Sequence, residues 1–133
     1  DWVLNHVRRM AERPQRREWS KEETKRLVDR ARAVLPVLVE RHAKLMGLSP
    51  SGITVTGART RYGSCSAKGN LCFSCYLMAS PDDAIEYVVV HEIAHLHEPH
   101  HTPAFWLRVE RAMPDYAQRR AWLAEHGIDV EGI

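Results

Sequence analysis

At Ser80-Pro81-Asp82-Asp83 the chain is committed to starting a helix, and that start limits the possible folds more than any other feature. Ser80 is a good N-cap, Pro81 suits the first helical position, and the two acids face the positive end of the helix dipole. The helix is expected from about Pro81 to His97. Ile85, Val89, Ile93 and Leu96 recur at helical spacing and should anchor one side in a core. The other side carries His91-Glu92-Ile93-Ala94-His95.

At about 100° per residue, His91 and His95 stand within roughly 40° of each other and can grip one metal ion. Glu92 is rotated to their flank, where it can reach a water beside the ion and take its proton. A catalytic zinc usually has three protein ligands and one open position. Glu98 would lie on the histidine face if the helix continued, but Pro99 disfavours helical geometry at Glu98 and ends the helix. His97 points away. His100 and His101 lie in the connector before the next helix start at Thr102-Pro103, where the chain can turn back, and spacing alone leaves both open.

Elsewhere the pattern is mixed helix and strand. Trp2, Val3, Val7 and Met10 recur at helical spacing before Pro14. Ser20 and Glu23 form a capping box for a long helix whose apolar face runs through Leu27, Ala31, Val34, Leu35, Leu38 and Leu45 to Gly47. Pro36 should kink or split it. Ile53-Thr54-Val55-Thr56 reads as a short strand, and turn residues at Gly63–Ser66 and Lys68–Asn70 lead into a second strand from Leu71 to Leu77. A helix from Thr102-Pro103 should end near Pro114, and another runs from about Asp115 to Gly127, with the last residues loosely held. The expected class is α+β, a small sheet flanked by helices, with residues 1–133 forming one domain.

Lysine and arginine number 19 against 17 acids, a net charge of +2, which does not by itself argue for nucleic acid or an acidic membrane. Arg8, Arg9, Arg13, Arg16 and Arg17 could touch phosphate, but Glu12 and Glu18 interleave them and favour a solvated helical face. Apolar runs such as Val88-Val89-Val90 are too short to cross a bilayer, and residues 1–17 lack a secretory core, so a cytoplasmic setting is expected. Cys65, Cys72 and Cys75 are odd in number and read as reduced thiols rather than a second zinc site. Trp106 reads as core packing, and Tyr116 as packing or surface. A chain starting at aspartate is expected to be a piece of a longer protein.

The segment from Tyr87 to Leu96, then His100-His101-Thr102, Phe105-Trp106 and Pro114-Asp115-Tyr116, resembles the YgjP-like metallopeptidase family, with SprT-like proteases as more distant relatives. Arg59-Thr60-Arg61-Tyr62-Gly63-Ser64-Cys65-Ser66 is similar to that family's Arg-Trp-Gly-Ser-Cys segment. His100 stands where the family has asparagine, Tyr62 where it has tryptophan, and Cys72 and Cys75 where it tends to have Asn-x-Arg. The resemblance implies a zincin-like core, zinc held by His91, His95 and His101, Glu92 as general base, and a peptide or protein substrate lying along the Leu71 to Leu77 strand. The rival expectation is a zinc-holding interaction module without catalysis, DNA-associated as in SprT-like proteins, which would need a fourth ligand such as Glu98 or His100.

Overall fold

Ser20 opens the first helix, α1 (Lys21–Met46), through the expected capping box. Its hydroxyl accepts the Glu23 N–H at 3.1 Å while the Glu23 carboxylate accepts the Ser20 N–H at 3.1 Å. At the other end Gly47 takes φ 70, and its N–H returns to the carbonyls of Ala43 and Lys44. The helix is not split at Pro36. Proline sits on the exposed face, where the carbonyl deprived of its donor meets water, and buried Ala31, Leu35, Val39 and Ala43 hold both halves against the core. The computed structural model describes residues 18–131; the helix expected over residues 1–10 and the arginines from Arg8 to Arg17 lie outside the described residues.

A three-stranded sheet follows, formed by β1 (Gly52–Thr56), β2 (Gly63–Cys65) and β3 (Asn70–Ser74) in the order β1-β3-β2. β1 runs parallel to β3 and β2 antiparallel to it. The turn after β2 closes through Gly69, at φ 84, whose N–H bonds the Ser66 carbonyl at 2.9 Å. Three expectations are corrected here, the first being that Gly63–Cys65, read from the sequence as turn residues, forms the edge strand β2. The strand from Leu71 stops at Ser74, because the Ser74 hydroxyl accepts the Tyr76 N–H at 3.2 Å and starts a 3-10 turn, Cys75–Ala79. β3 is also the central strand, paired on both sides, so it offers no free edge to a substrate.

The histidine-bearing helix, α2 (Asp82–Ala94), begins one residue later than its sequence suggests: Pro81 is the N-cap, and the Ser80 hydroxyl, buried, makes no capping bond. It is also more deeply buried than a two-sided helix. From Ala84 onward every residue but Glu86 is buried, and the helix packs against α1, β2, α3 (Pro103–Ala112) and α4 (Tyr116–Glu125). A helix buried on so many faces requires such neighbours. After His95 the chain tightens: the N–H groups of Leu96 and His97 bond the carbonyls of Ile93 and Ala94, ending the helix a turn before the expected His97.

α3 starts where Thr102 accepts the Phe105 N–H at 3.3 Å, with Pro103 at the first position. Beyond α4 the chain is tied down rather than loose. Gly127 turns it at φ 80, Ile128 and Val130 are buried, and the Asp129 N–H bonds the Thr60 carbonyl at 3.3 Å. Hydrophobic side chains brought by the tail, not its position at the end, decide this. Among the described residues no helix is long and apolar enough to cross a membrane.

Candidate metal centre

α2 and its C-cap deliver His91, Glu92 and His95 together, and the connector after Pro99 delivers His101. The Nε2 atom of His101 lies 3.1 Å from Nε2 of His91 and 3.1 Å from Nε2 of His95. Among the described residues this is the one group of His, Cys, Asp or Glu side chains close enough to share an ion. Phe105 backs all three rings, with centroids 4.9, 4.5 and 5.0 Å from those of His91, His95 and His101. His100, exposed, stays outside the cluster. Glu98 contributes its backbone instead: its carbonyl is 3.0 Å from Nδ1 of His95.

The chemistry of this donor set fits a metal. A carbonyl can only accept, so Nδ1 of His95 carries the proton and Nε2 keeps its lone pair toward His91 and His101. On His91, Nδ1 is 3.0 Å from the Tyr87 hydroxyl, one turn earlier on α2, leaving Nε2 to face the same point. Three converging imidazole nitrogens cannot all satisfy one another by hydrogen bonds, whereas one cation satisfies them together. Tyr87 was named in the sequence motif without a role; its place four residues before His91 was the available signal. Burial holds its hydroxyl well above the usual tyrosine range, with nearby Arg120 offsetting part of the rise.

Glu92 is fully buried, and neither carboxylate oxygen has a hydrogen-bond partner among the described residues. Burial pushes its carboxyl up to about 8, with Arg61 pulling the other way. It lines a cleft of about 740 Å³ together with Arg61, Ser64, Cys65, His95 and His101. Gly63 makes the approach of β2 to α2 possible: a Cβ there would stand 2.7 Å from Glu92 Oε2 and 2.9 Å from Val88 Cγ1. The Cys65 thiol is pushed up by burial and then by the Glu92 charge. All three cysteines are free, and among the described residues Cys72 and Cys75 join no cluster that could hold a metal.

β2, not β3, borders the cleft. The Ser66 N–H bonds the Asn70 carbonyl and the Ser74 N–H bonds the Tyr62 carbonyl, which fixes the ladder parity. Ser64 therefore pairs with Cys72, and the N–H and C=O groups of Gly63 and Cys65 face the open edge. Trp106 packs against the core as expected and does more besides. It is half-buried and lines a second cavity, stacked between His101 at 5.8 Å and Tyr116 at 5.5 Å.

The family model described as "YgjP-like, metallopeptidase domain" matches residues 5–126. The chain belongs to this family. A comparison with curated proteins finds no match. Among solved structures the fold is similar to that of the metallopeptidase zymogen of Pyrococcus abyssi abylysin, at 19% identity and a TM-score of 0.60, covering 66% of this chain and 90% of that one. YgjP-like membership makes the chain a metallopeptidase domain of the hydrolase class, with a peptide or protein as its class of substrate, and the three-histidine cluster supports metal binding.

Proposed function

We propose that the chain hydrolyses peptide bonds using zinc held by His91, His95 and His101, with Glu92 as the general base. The observation that carries this reading is Glu92 itself: a buried carboxylate with no hydrogen-bond partner among the described residues, beside a histidine cluster that no fourth ligand among those residues closes. A neutral imidazole set suits zinc, which when bound would polarise the scissile carbonyl and acidify a water. Glu92 takes the proton of the attacking water and passes it to the leaving nitrogen. Burial, against the pull of Arg61, holds this carboxyl near 8, and a bound cation would lower it toward the range that suits that two-way task near neutral pH.

An extended peptide would pair with the outward N–H and C=O groups of Gly63 and Cys65, an affinity that depends little on side chains. A purely structural zinc site would close with a fourth ligand, and neither Glu98 nor His100 joins the cluster. Residues 1–133 would act as a single catalytic domain, and the three free thiols suit a cytoplasmic setting.

Glu92→Gln tests the reading. It keeps size and hydrogen-bonding capacity but cannot accept the proton. Zinc content, near one per chain, and folding should persist, while hydrolysis of an unfolded protein or peptide library falls by about 10² or more. Equal hydrolysis by wild type and variant would refute the assignment of Glu92.

A further inference from the structure

His101 stands at the junction of two cavities. One is the cleft already described; the other, of about 540 Å³, lies beyond His101 and is walled by Trp106 and Tyr116, with Arg120 and Glu131 at its border. The guanidinium carbon of Arg120 is 5.4 Å from the centre of the Trp106 ring. Ala117 and Ala121 leave room in front of it. The Arg120 side chain is 28% exposed, and its buried Nε has no hydrogen-bond partner among the described residues.

A permanently charged fork against aromatic walls calls for an anion, and a carboxylate matches it best. The chain provides one. Glu131 Oε1 lies 2.6 Å from Arg120 Nη2, although the Glu131 side chain is itself 82% exposed. The short contact is held by the tail, anchored through Ile128, Val130 and the Asp129 N–H. Glu131 also borders the cleft, so it stands in the passage between the two cavities.

From Arg120 held against Trp106, and from the carboxylate it already holds, we infer that the second cavity is a substrate subsite for a carboxylate. The group is either the C-terminal carboxylate of a peptide or an Asp or Glu side chain next to the scissile bond, and Glu131 occupies its place in the free protein. The word substrate rests on the peptidase reading; carboxylate recognition by Arg120 does not. A bound chain would pass through the cleft along β2, cross the histidines, and place its acidic group against Arg120 after displacing Glu131.

Binding without turnover separates these claims. In the zinc-loaded Glu92→Gln protein, calorimetry would compare acetyl-tetraalanine as free acid, its C-terminal amide, and the amide with one alanine replaced by glutamate. One or both acidic probes should bind on the order of tenfold tighter than the neutral amide; which one does so identifies the carboxylate source. Arg120→Gln should abolish the preference and Arg120→Lys should keep part of it. Because Arg120 also neighbours Tyr87, the exposed Glu131→Gln is the safer second variant: it should tighten the acidic probes several-fold and leave the neutral amide unchanged. Equal binding of acid and amide in both the parent and Glu131→Gln, or a preference that survives Arg120→Gln, would overturn the subsite. Acid preference in a protein whose wild type hydrolyses nothing would leave the subsite standing and remove the catalytic reading alone.

Discussion

Tyr87 places its hydroxyl 3.0 Å from Nδ1 of His91, from the preceding turn of the same helix. The imidazole is thereby held at both ends, by a phenol on one nitrogen and by the convergence point on the other. Tyr87→Phe removes only that oxygen and keeps the packing of a fully buried ring. The expected outcome is a stable protein whose zinc affinity, measured by chelator competition, drops by about 10- to 100-fold, as for other lost outer partners of a metal ligand. Unchanged affinity would show that Phe105 alone suffices to orient His91.

His101 and His100 are neighbours in sequence but not in role. His101→Ala should reduce zinc affinity by more than the loss of Tyr87 does, because it takes away one of the three converging nitrogens. His100→Ala and Glu98→Ala should have little effect, the second because only the Glu98 backbone touches His95. The reverse ranking in the same chelator titration would dismiss His101 as a ligand.

Gly63→Ala inserts a methyl group into the contact between β2 and α2. Glu92 and Val88 must both give way, so a loss of about 1–3 kcal/mol in denaturant unfolding is expected. Hydrolysis should fall by more than this instability explains, since Glu92 is the side chain displaced. Full activity in a destabilised Gly63→Ala protein would argue that Glu92 tolerates repositioning.

In the metal-free protein the Glu92 carboxyl is raised from 4.5 to about 8 in the fold. Folding then takes up a proton between those values, so the stability associated with the neutral group is fully present below about 4.5 and is lost as pH rises through about 8. Thermal unfolding of metal-free wild type and Glu92→Gln should diverge over this window. The wild type should lose stability relative to the variant as pH increases. A difference independent of pH would mean that Glu92 is not desolvated.

Helix starts and the histidine pair were legible because their causes are local. Ser20 with Glu23, Thr102 with Phe105, and His91 with His95 each act across one turn, and a sequence window contains the whole interaction. Strand order was not legible, since nothing near Leu71 announces that both its neighbours come from earlier in the chain. Pro36 misled because the penalty of an internal proline depends on whether its face meets water, which is a tertiary fact. Arg120 and Glu131 escaped notice for the same reason: α4 and the tail meet at the second cavity only through folding.

The burial of α2 from Tyr87 to Ala94 has a kinetic consequence. Its buried amides should exchange with solvent only when the whole molecule opens, so His91 and Glu92 share the lifetime of the native state. His101 stands outside the helix on an exposed connector, so it is the ligand expected to let go first while the helix stays folded. Metal entry and escape would then be timed by that connector, and the protein could exchange its ion many times within one folded lifetime.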